Sequence, residues 1–400
     1  MGLEIGMSLN SNKEKIAIDG GTIVSPSKLI HEGLVLIEEG QIKLVVSKKD
    51  HKIPSDYEII DANNMLVLPG FIDLHVNGGG GSDVMDGSYD SINTMAIAHA
   101  KHGTTAILPT TISAPDDVIS GGLRAIASAM QKGTQGAKIL GAHLEGPFLA
   151  SQKSGAHNPK YLQPLSVKKL DEYFEASNQT IRIVTFSPEL EGSTAFIEKI
   201  KSMKAIASIG HSDATYDITI KAIKDGITHA SHVFNGMRGM DGKEPGTVGA
   251  VLLSNGVWAE VIADGFHVHP GMISILLKTK GIEKTVLVTD AMKAAASSMQ
   301  SCELFGVEIT IRNGRTYTKD GHLAGSVLTL EKAVKNVYEW TGLPLCAVVK
   351  MASLNPASEL GIEERKGSIE VGKDADIVIA SKDLAIRNVL IEGKSLLEIS

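Results

Sequence analysis

The chain of 400 residues is short of several things, and each shortage excludes something. It has only two cysteines, Cys302 and Cys346, far apart and in no pairing motif. That builds no disulfide framework and fits a reducing, cytoplasmic setting. No apolar run reaches the ~18 residues a membrane span requires. The N-terminal stretch carries Glu4, Lys13, Glu14 and Lys15 and no apolar core of signal-peptide length. Positive charge is not in excess: 39 Lys and Arg stand against 46 Asp and Glu, giving a net charge of −7. With no basic stripe, nucleic acid is excluded as the main partner. Aromatic residues make up 4%, whereas glycine is abundant at 41 residues, which predicts many tight turns and close backbone approaches.

What is present is the composition of an ordinary globular protein, 43% hydrophobic and 21% charged. The length suits one large barrel plus a smaller module. From Lys15 to about Leu68 short β-type runs alternate with turns, among them Gly33 to Glu38 and Gln41 to Val46, with Glu39-Gly40 placed as a hairpin turn. The C-terminal end has the same texture in Ser368 to Val371, Ala375 to Ala380 and Asn388 to Gly393. Neither half can bury enough apolar surface alone, so residues 1–68 and 355–400 are expected to form one small β-sandwich domain.

Residues 69–354 read differently. Eight short apolar strands alternate with helical patterns: Gly70 to His75, Thr104 to Pro109, Ala137 to Ala142, Ile181 to Phe186, Ala205 to Gly210, Ile227 to His232, Trp258 to Asp264 and Thr285 to Asp290. This repetition predicts an α/β fold, a (β/α)8 TIM-like barrel, whose active sites lie at the C-terminal strand ends. An open doubly wound sheet is the competing fold, but no G-x-G-x-x-G follows the first strand.

The barrel makes a demand on the sequence: chemical residues should stand where the strands stop. They do, at His75 and Asn77, His143 and Glu145, His211 and Asp213, His232 and Asn235, Asp264 and His267, and Asp290. Glu145 sets the problem, because a buried, unpaired carboxylate costs several kcal/mol. With His211 and His232 it makes one carboxylate and two imidazoles, a set suited to a single divalent metal such as zinc or iron with one position open for water. Asp290 can take the water's proton and pass it to a leaving amine. A lone histidine is usually a packed, hydrogen-bonded residue, the reading for His99, His102, His229 and His322; Glu145 or Asp290 alone could cap a turn or helix. Their convergence on one barrel face favours metal-assisted amide hydrolysis. His143 shares the side of its strand with Glu145 and is expected to stand behind the ligands, with a role as a second-metal ligand the alternative.

These motifs resemble those of the N-acetylglucosamine-6-phosphate deacetylase family of the amidohydrolase superfamily. The likeness runs through Leu68 to His75, His143 to Phe148, Gly155-Ala156-His157-Asn158-Pro159, Gly210-His211-Ser212, His232 to Met237, Glu244-Pro245-Gly246, Asp264 to Val268, Val288 to Ala291, Leu323 to Ser326, Asn355-Pro356-Ala357 and Gly367 to Asp376. It implies Glu145, His211 and His232 as metal ligands and Asp290 as base and then acid. Asn235, Gly236, His157 and His267 would contact an amino-sugar phosphate, which would lose acetate. A homodimer is also implied.

Three positions depart from the family pattern. Many amidohydrolases carry His-x-His after the first strand and hold a second metal; here the pair is His75 and Asn77, and Asn is a weak zinc ligand. One metal is therefore expected, with a partial second site at His75. An Arg usually precedes Glu-Pro-Gly and reaches the phosphate; here it is Lys243, a point charge without the bidentate fork, and Arg238 is the candidate replacement. Asn-Ala-Met is replaced by Asn235-Gly236-Met237. Deacetylation of N-acetylgalactosamine 6-phosphate or another acetamido sugar, and a catalytically inactive binding barrel, are the competing functions.

Overall fold

A computed structural model describes residues 15–304, 307–312, 314–319, 321 and 324–396. The leader 1–14, His322 and Leu323 lie outside the described residues. The centre of the molecule is a parallel sheet of eight barrel strands: β1 Phe71–Val76, β2 Thr104–Thr111, β3 Ala142–Glu145, β4 Ile181–Phe186, β5 Ile206–Ile209, β6 His229–Ala230, β7 Trp258–Ile262 and β8 Thr285–Val288. They pair in sequence order, with Lys138–Ile139 adding a short parallel segment beside β2. The barrel closes where Val76 bridges Ala291 and the Asp290 N–H bonds the His75 carbonyl at 2.9 Å. One helix follows each strand: α1 Tyr89–Ala100, α2 Asp116–Lys132, α3 Val167–Ala176, α4 Ser193–Ser202, α5 Tyr216–Asp225, α6 Gly246–Leu253, α7 Pro270–Lys280 and α8 Leu330–Thr341. This is the expected (β/α)8 barrel.

The local reasons are ordinary ones. Every residue of β1, β2 and β8 is buried, as strands covered on both faces require. Helix starts are capped where an oxygen side chain precedes the apolar periodicity: Ser88, Ser166 and Thr215 accept backbone N–H groups at the beginning of α1, α3 and α5. The few aromatics are concentrated. Phe148, Phe186 and Phe196 meet edge to face at 5.0 and 5.2 Å, with Tyr173 beside Phe148, and they fill the space between the barrel and helices α3 and α4.

The small module has two sheets. Lys15–Asp19, Gly33–Glu38, Gln41–Ser47 and Glu58–Asp61 form one; Thr22–Val24, Leu29–Ile30, Leu66–Pro69, Ile377–Ala380, Ile386–Ile391 and Lys394–Ser395 form the other. Ile18, Val35 and Ile37 from the first pack on Ile23, Ile377 and Leu390 from the second, so the core of the sandwich draws on both ends of the chain. Glu39 and Gly40 both take positive φ, 49° and 75°, the conformation of a tight two-residue hairpin turn. After α8 come α9 Leu345–Ala352 and α10 Leu354–Glu359. Ala357 and Leu360 join the barrel core and Asn355 donates to the Ile282 and Thr285 carbonyls. The segment starting at 355 therefore packs first on the barrel and reaches the sandwich only later. A three-stranded antiparallel sheet, Ser301–Leu304, Val307–Arg312 and Arg315–Thr318, is inserted between β8 and α8 and was not anticipated.

Phe196 is fully buried among aromatic rings. Phe196→Ala should cost ~3–5 kcal/mol, read as a lower denaturation midpoint; an unshifted midpoint would refute the packing role assigned to this cluster.

Candidate active site

Glu145 is the last residue of β3 and 2% exposed. Four imidazoles turn toward its carboxylate. Oε1 faces Nε2 of His232 at 2.8 Å and of His211 at 3.3 Å; Oε2 faces Nε2 of His75 at 3.2 Å and of His157 at 3.5 Å. Asp290, just past β8, sets Oδ1 3.6 Å from His75 Nε2. His211, His232 and Asp290 all have positive φ, 48°, 31° and 47°, a conformation that is strained for non-glycine residues and recurs at functional sites.

Hydrogen-bond bookkeeping tests whether a metal fits. The Lys153 carbonyl can only accept, so His211 donates from Nδ1 at 2.7 Å and keeps a lone pair on Nε2. The His75 Nδ1–H is likewise held by Glu260 Oε2 at 2.9 Å, leaving its Nε2 lone pair pointed at Glu145 and Asp290. His157 is the reverse. Its Nδ1 accepts the Ser113 N–H at 3.1 Å, so the neutral ring carries its proton on Nε2 and is a donor. His143 is used on both sides: Nδ1 donates to the Leu74 carbonyl at 2.9 Å and Nε2 accepts from Thr185 Oγ1 at 2.7 Å. It lies near His75 and Glu260, but with both nitrogens occupied it has no lone pair for a metal, and its ring packs edge-on against His75. Carboxylate oxygens facing imidazole lone pairs at close range repel unless a proton or cation lies between them. Two groups of donors share Glu145, one with His75 and His232 and one with His157 and His211, the atoms of each within 4.8 Å of one another, and a buried carboxylate among imidazoles fits a divalent ion.

Electrostatics follow the same lines. Burial works to raise the Glu145 carboxyl, but His75 and the hydrogen bonds of the other imidazoles outweigh it and hold the group well below the usual carboxylate range. Burial lowers the His211 ring to about 4 and, with His75 nearby, the His143 ring to about 3, so both stay neutral. Burial raises Asp290, which brings a proton acceptor closer to the pH at which it must also donate.

Behind the site runs a buried polar chain that the sequence reading did not identify. Glu260, in the middle of β7, accepts from His75 Nδ1 and from the His232 N–H, and its Oε1 lies 3.0 Å from His229 Nε2. His229 is bonded in turn to Glu359 of α10. Burial opposes charge on His229, but Glu359 and Glu260 outweigh it and raise the ring to about 10. His229 is thus buried and hydrogen-bonded, as expected of a packed histidine, yet it also links the site to the barrel floor. Asp73 is also buried, accepting from Thr289 Oγ1 at 2.6 Å. The available signal was Glu260 itself, a carboxylate inside the apolar run Trp258 to Ile262, to which the reasoning used for Glu145 applies unchanged.

A cavity of about 180 Å³ opens over these groups, lined by Glu145, His157, His211, His232, Asn235, Gly236, His267 and Asp290, and on its far side by Asn77, Asp83, Met292 and Lys293. His267 is fixed by Asp264, which accepts from its Nδ1 at 2.6 Å and from its backbone N–H at 2.8 Å. Lys243 and Arg238 are not in this lining. Lys243 is exposed, and the Arg238 guanidinium is engaged bidentately by Asp213 at 3.2 and 2.8 Å, so within one subunit it is not a free replacement for the missing arginine.

A (β/α)8 barrel with a carboxylate–histidine centre at its C-terminal mouth and an aspartate after β8 defines a metal-type hydrolase. The Amidohydrolase family model matches residues 66–396, and the chain belongs to that family. Within it, the chain is 35% identical to N-acetylglucosamine-6-phosphate deacetylase of Bacillus subtilis (strain 168), covering 95% of this chain and 96% of that one. It is 38% identical to N-acetylgalactosamine-6-phosphate deacetylase of Escherichia coli O157:H7, covering 85% and 90%. The crystal structure of N-acetylglucosamine-6-phosphate deacetylase from Pasteurella multocida superposes with a TM-score of 0.90 at 30% identity, covering 95% and 99%.

His211→Ala and His232→Ala should each lose bound metal, because each removes one lone pair of a three-ligand set. Metal analysis of the purified variants checks this, and full metal content in either would remove that residue from the set.

Proposed function

We propose that the chain hydrolyses the acetamide of N-acetylglucosamine 6-phosphate to glucosamine 6-phosphate and acetate. The observation that carries this is the convergence of Glu145, His211 and His232 beside Asp290 in a cavity open to solvent, in a chain matched nearly end to end by sugar-phosphate deacetylases. One divalent ion, zinc or iron, is held by Glu145, His211 and His232. When bound it lowers the pKa of water and polarises the amide carbonyl. The residues do the rest. The Asp290 carboxylate takes the proton of the attacking water and returns it to the amide nitrogen as the C–N bond breaks, so the leaving group departs as an amine. His157 offers an Nε2–H fixed from behind by Ser113. His267, with Nδ1 held by Asp264, turns its other nitrogen to the sugar. Asn235 and the Gly236 backbone contact the sugar phosphate. His143 orients His75, and His75 offers a partial second metal position that Asn77 does not complete.

The partner is thus a small amino-sugar phosphate. A homodimer in a reducing cytoplasm is part of the same proposal, in line with two free cysteines. Among the described residues no helix is long and apolar enough to cross a membrane. A second reading, deacetylation of N-acetylgalactosamine 6-phosphate, is favoured by the 38%-identical relative of that name; the two sugars differ only in the C4 hydroxyl. An inactive binding barrel is disfavoured by retention of the whole ligand set together with Asp290.

Acetate release from the two phosphorylated sugars and their unphosphorylated forms, with metal content measured in parallel, tests the reading. N-acetylglucosamine 6-phosphate should have the highest kcat/KM, and a metal-free protein inert to added zinc or iron would overturn it. Asp290→Asn should retain metal and lose ~10²–10⁴-fold in kcat, since an amide accepts no proton; near-native turnover would exclude Asp290 as the base.

A further inference from the structure

The far end of the cavity carries polar groups that deacetylation does not use. Asp83 and Lys293 both line it, and Lys293 Nζ lies 2.7 Å from Asp83 Oδ2 and 3.5 Å from Asp86 Oδ1. An ammonium has three N–H donors, so at least one is left over. The pair is held in place. Asp83 Oδ1 is bound by the backbone N–H groups of Met85 and Asp86, and the Lys293 carbonyl by the Gly81 N–H at 2.8 Å. Gly78 packs so closely that a Cβ there would lie 2.4 Å from Lys293 N. Asn77 also lines the cavity, and its buried Oδ1 has no hydrogen-bond partner among the described residues.

Charge decides which part of the substrate meets this end. Lys293 with Asp83 and Asp86 carries a net negative charge, which repels a phosphate. The phosphate is therefore placed with Asn235 and Gly236, which also line the cavity, and the acyl carbon between Glu145 and Asp290. The acyl tail then points at Asn77, Asp83 and Lys293. Resting on the deacetylase reading above, we infer that these three residues select the acyl group, favouring one that ends in a hydroxyl over an apolar one of the same size. A hydroxyl can donate to Asn77 Oδ1 or Asp83 and accept from Lys293. A methyl in its place desolvates the ion pair and returns no hydrogen bond. Acetyl carries no group that could hydrogen-bond the pair and is accepted without this contact.

The test uses two isosteres, N-glycolyl- and N-propionylglucosamine 6-phosphate, which differ by OH against CH3. The holoenzyme should give a kcat/KM ratio of about 10 or more in favour of glycolyl, because a site that bonds a hydroxyl rejects the analogue lacking it. In Lys293→Met, which keeps an unbranched apolar stem, the ratio should fall to within about 3 of unity. Because the ratio is taken within one preparation, a general loss of active protein cancels. A wild-type ratio near one overturns the inference even if the variant does not fold, and an unchanged ratio in a folded variant removes Lys293 from the selection. Absence of acetate release from the acetylated sugar would instead fail the deacetylase reading itself, a separate outcome seen in the same assay.

Discussion

A carboxylate cannot be taken out of water without a partner, and much of this molecule answers that constraint at Glu145. Its two oxygens are met by four imidazoles drawn from strands and loops across the barrel mouth. Three of the four have their other nitrogen satisfied in turn, the His232 Nδ1 alone finding no partner among the described residues, so the constraint propagates outward. His211 is anchored on the Lys153 carbonyl, His157 on the Ser113 N–H and His75 on Glu260. Glu260 is itself a buried carboxylate, and its need is met by His229 and, one step further, by Glu359. The polar axis of the barrel can be followed as one requirement passed from group to group until it reaches α10.

Barrel closure sets the remaining chemistry. β8 meets β1 through the Val76–Ala291 bridge and the bond from the Asp290 N–H to the His75 carbonyl. The Asp290 carboxylate and the imidazole beside it are therefore fixed by one backbone contact rather than by long side chains. The left-handed backbone at His211, His232 and Asp290 costs ~1–3 kcal/mol per residue. The surrounding parallel strands, buried at nearly every position, supply the rigidity that maintains it.

Much of this was legible in the sequence because parallel strands buried on both faces read as apolar runs, and a polar residue at the end of one stands out. The strand ends bearing His75, Glu145, His211, His232 and Asp290 were found that way, and they do meet. Polar residues inside a run were harder to see. Glu260 and Asp73 interrupt apolar strands as plainly as Glu145 ends one, but a polar residue inside a run does not stand at the barrel mouth where chemistry is expected. β3 was displaced: the expected strand ran from Ala137 to Ala142, whereas the chain breaks at Gly141, with φ 146° and no room for a Cβ beside Arg182 and the Thr180 carbonyl, and resumes at Ala142. The ion pair of Arg238 with Asp213 lies 25 residues apart in the chain, and only the close approach of the loops after β5 and β6 creates it.

The same polar axis bears on how many metal ions the site suits. Glu145 and Glu260 are buried, and Asp290 keeps 18% of its side chain exposed. Neighbouring carboxylates favour the protonated form of His75, His229 and His232 against the opposing effect of burial. A second cation beside His75 would have to draw its remaining ligands from Asn77, a poor donor, and from Asp290, whose Oδ1 lies 3.6 Å from His75 Nε2. Asparagine two residues after His75 leaves that position without a second imidazole, and His75 stands between the Glu145 and Glu260 carboxylates with one nitrogen on each.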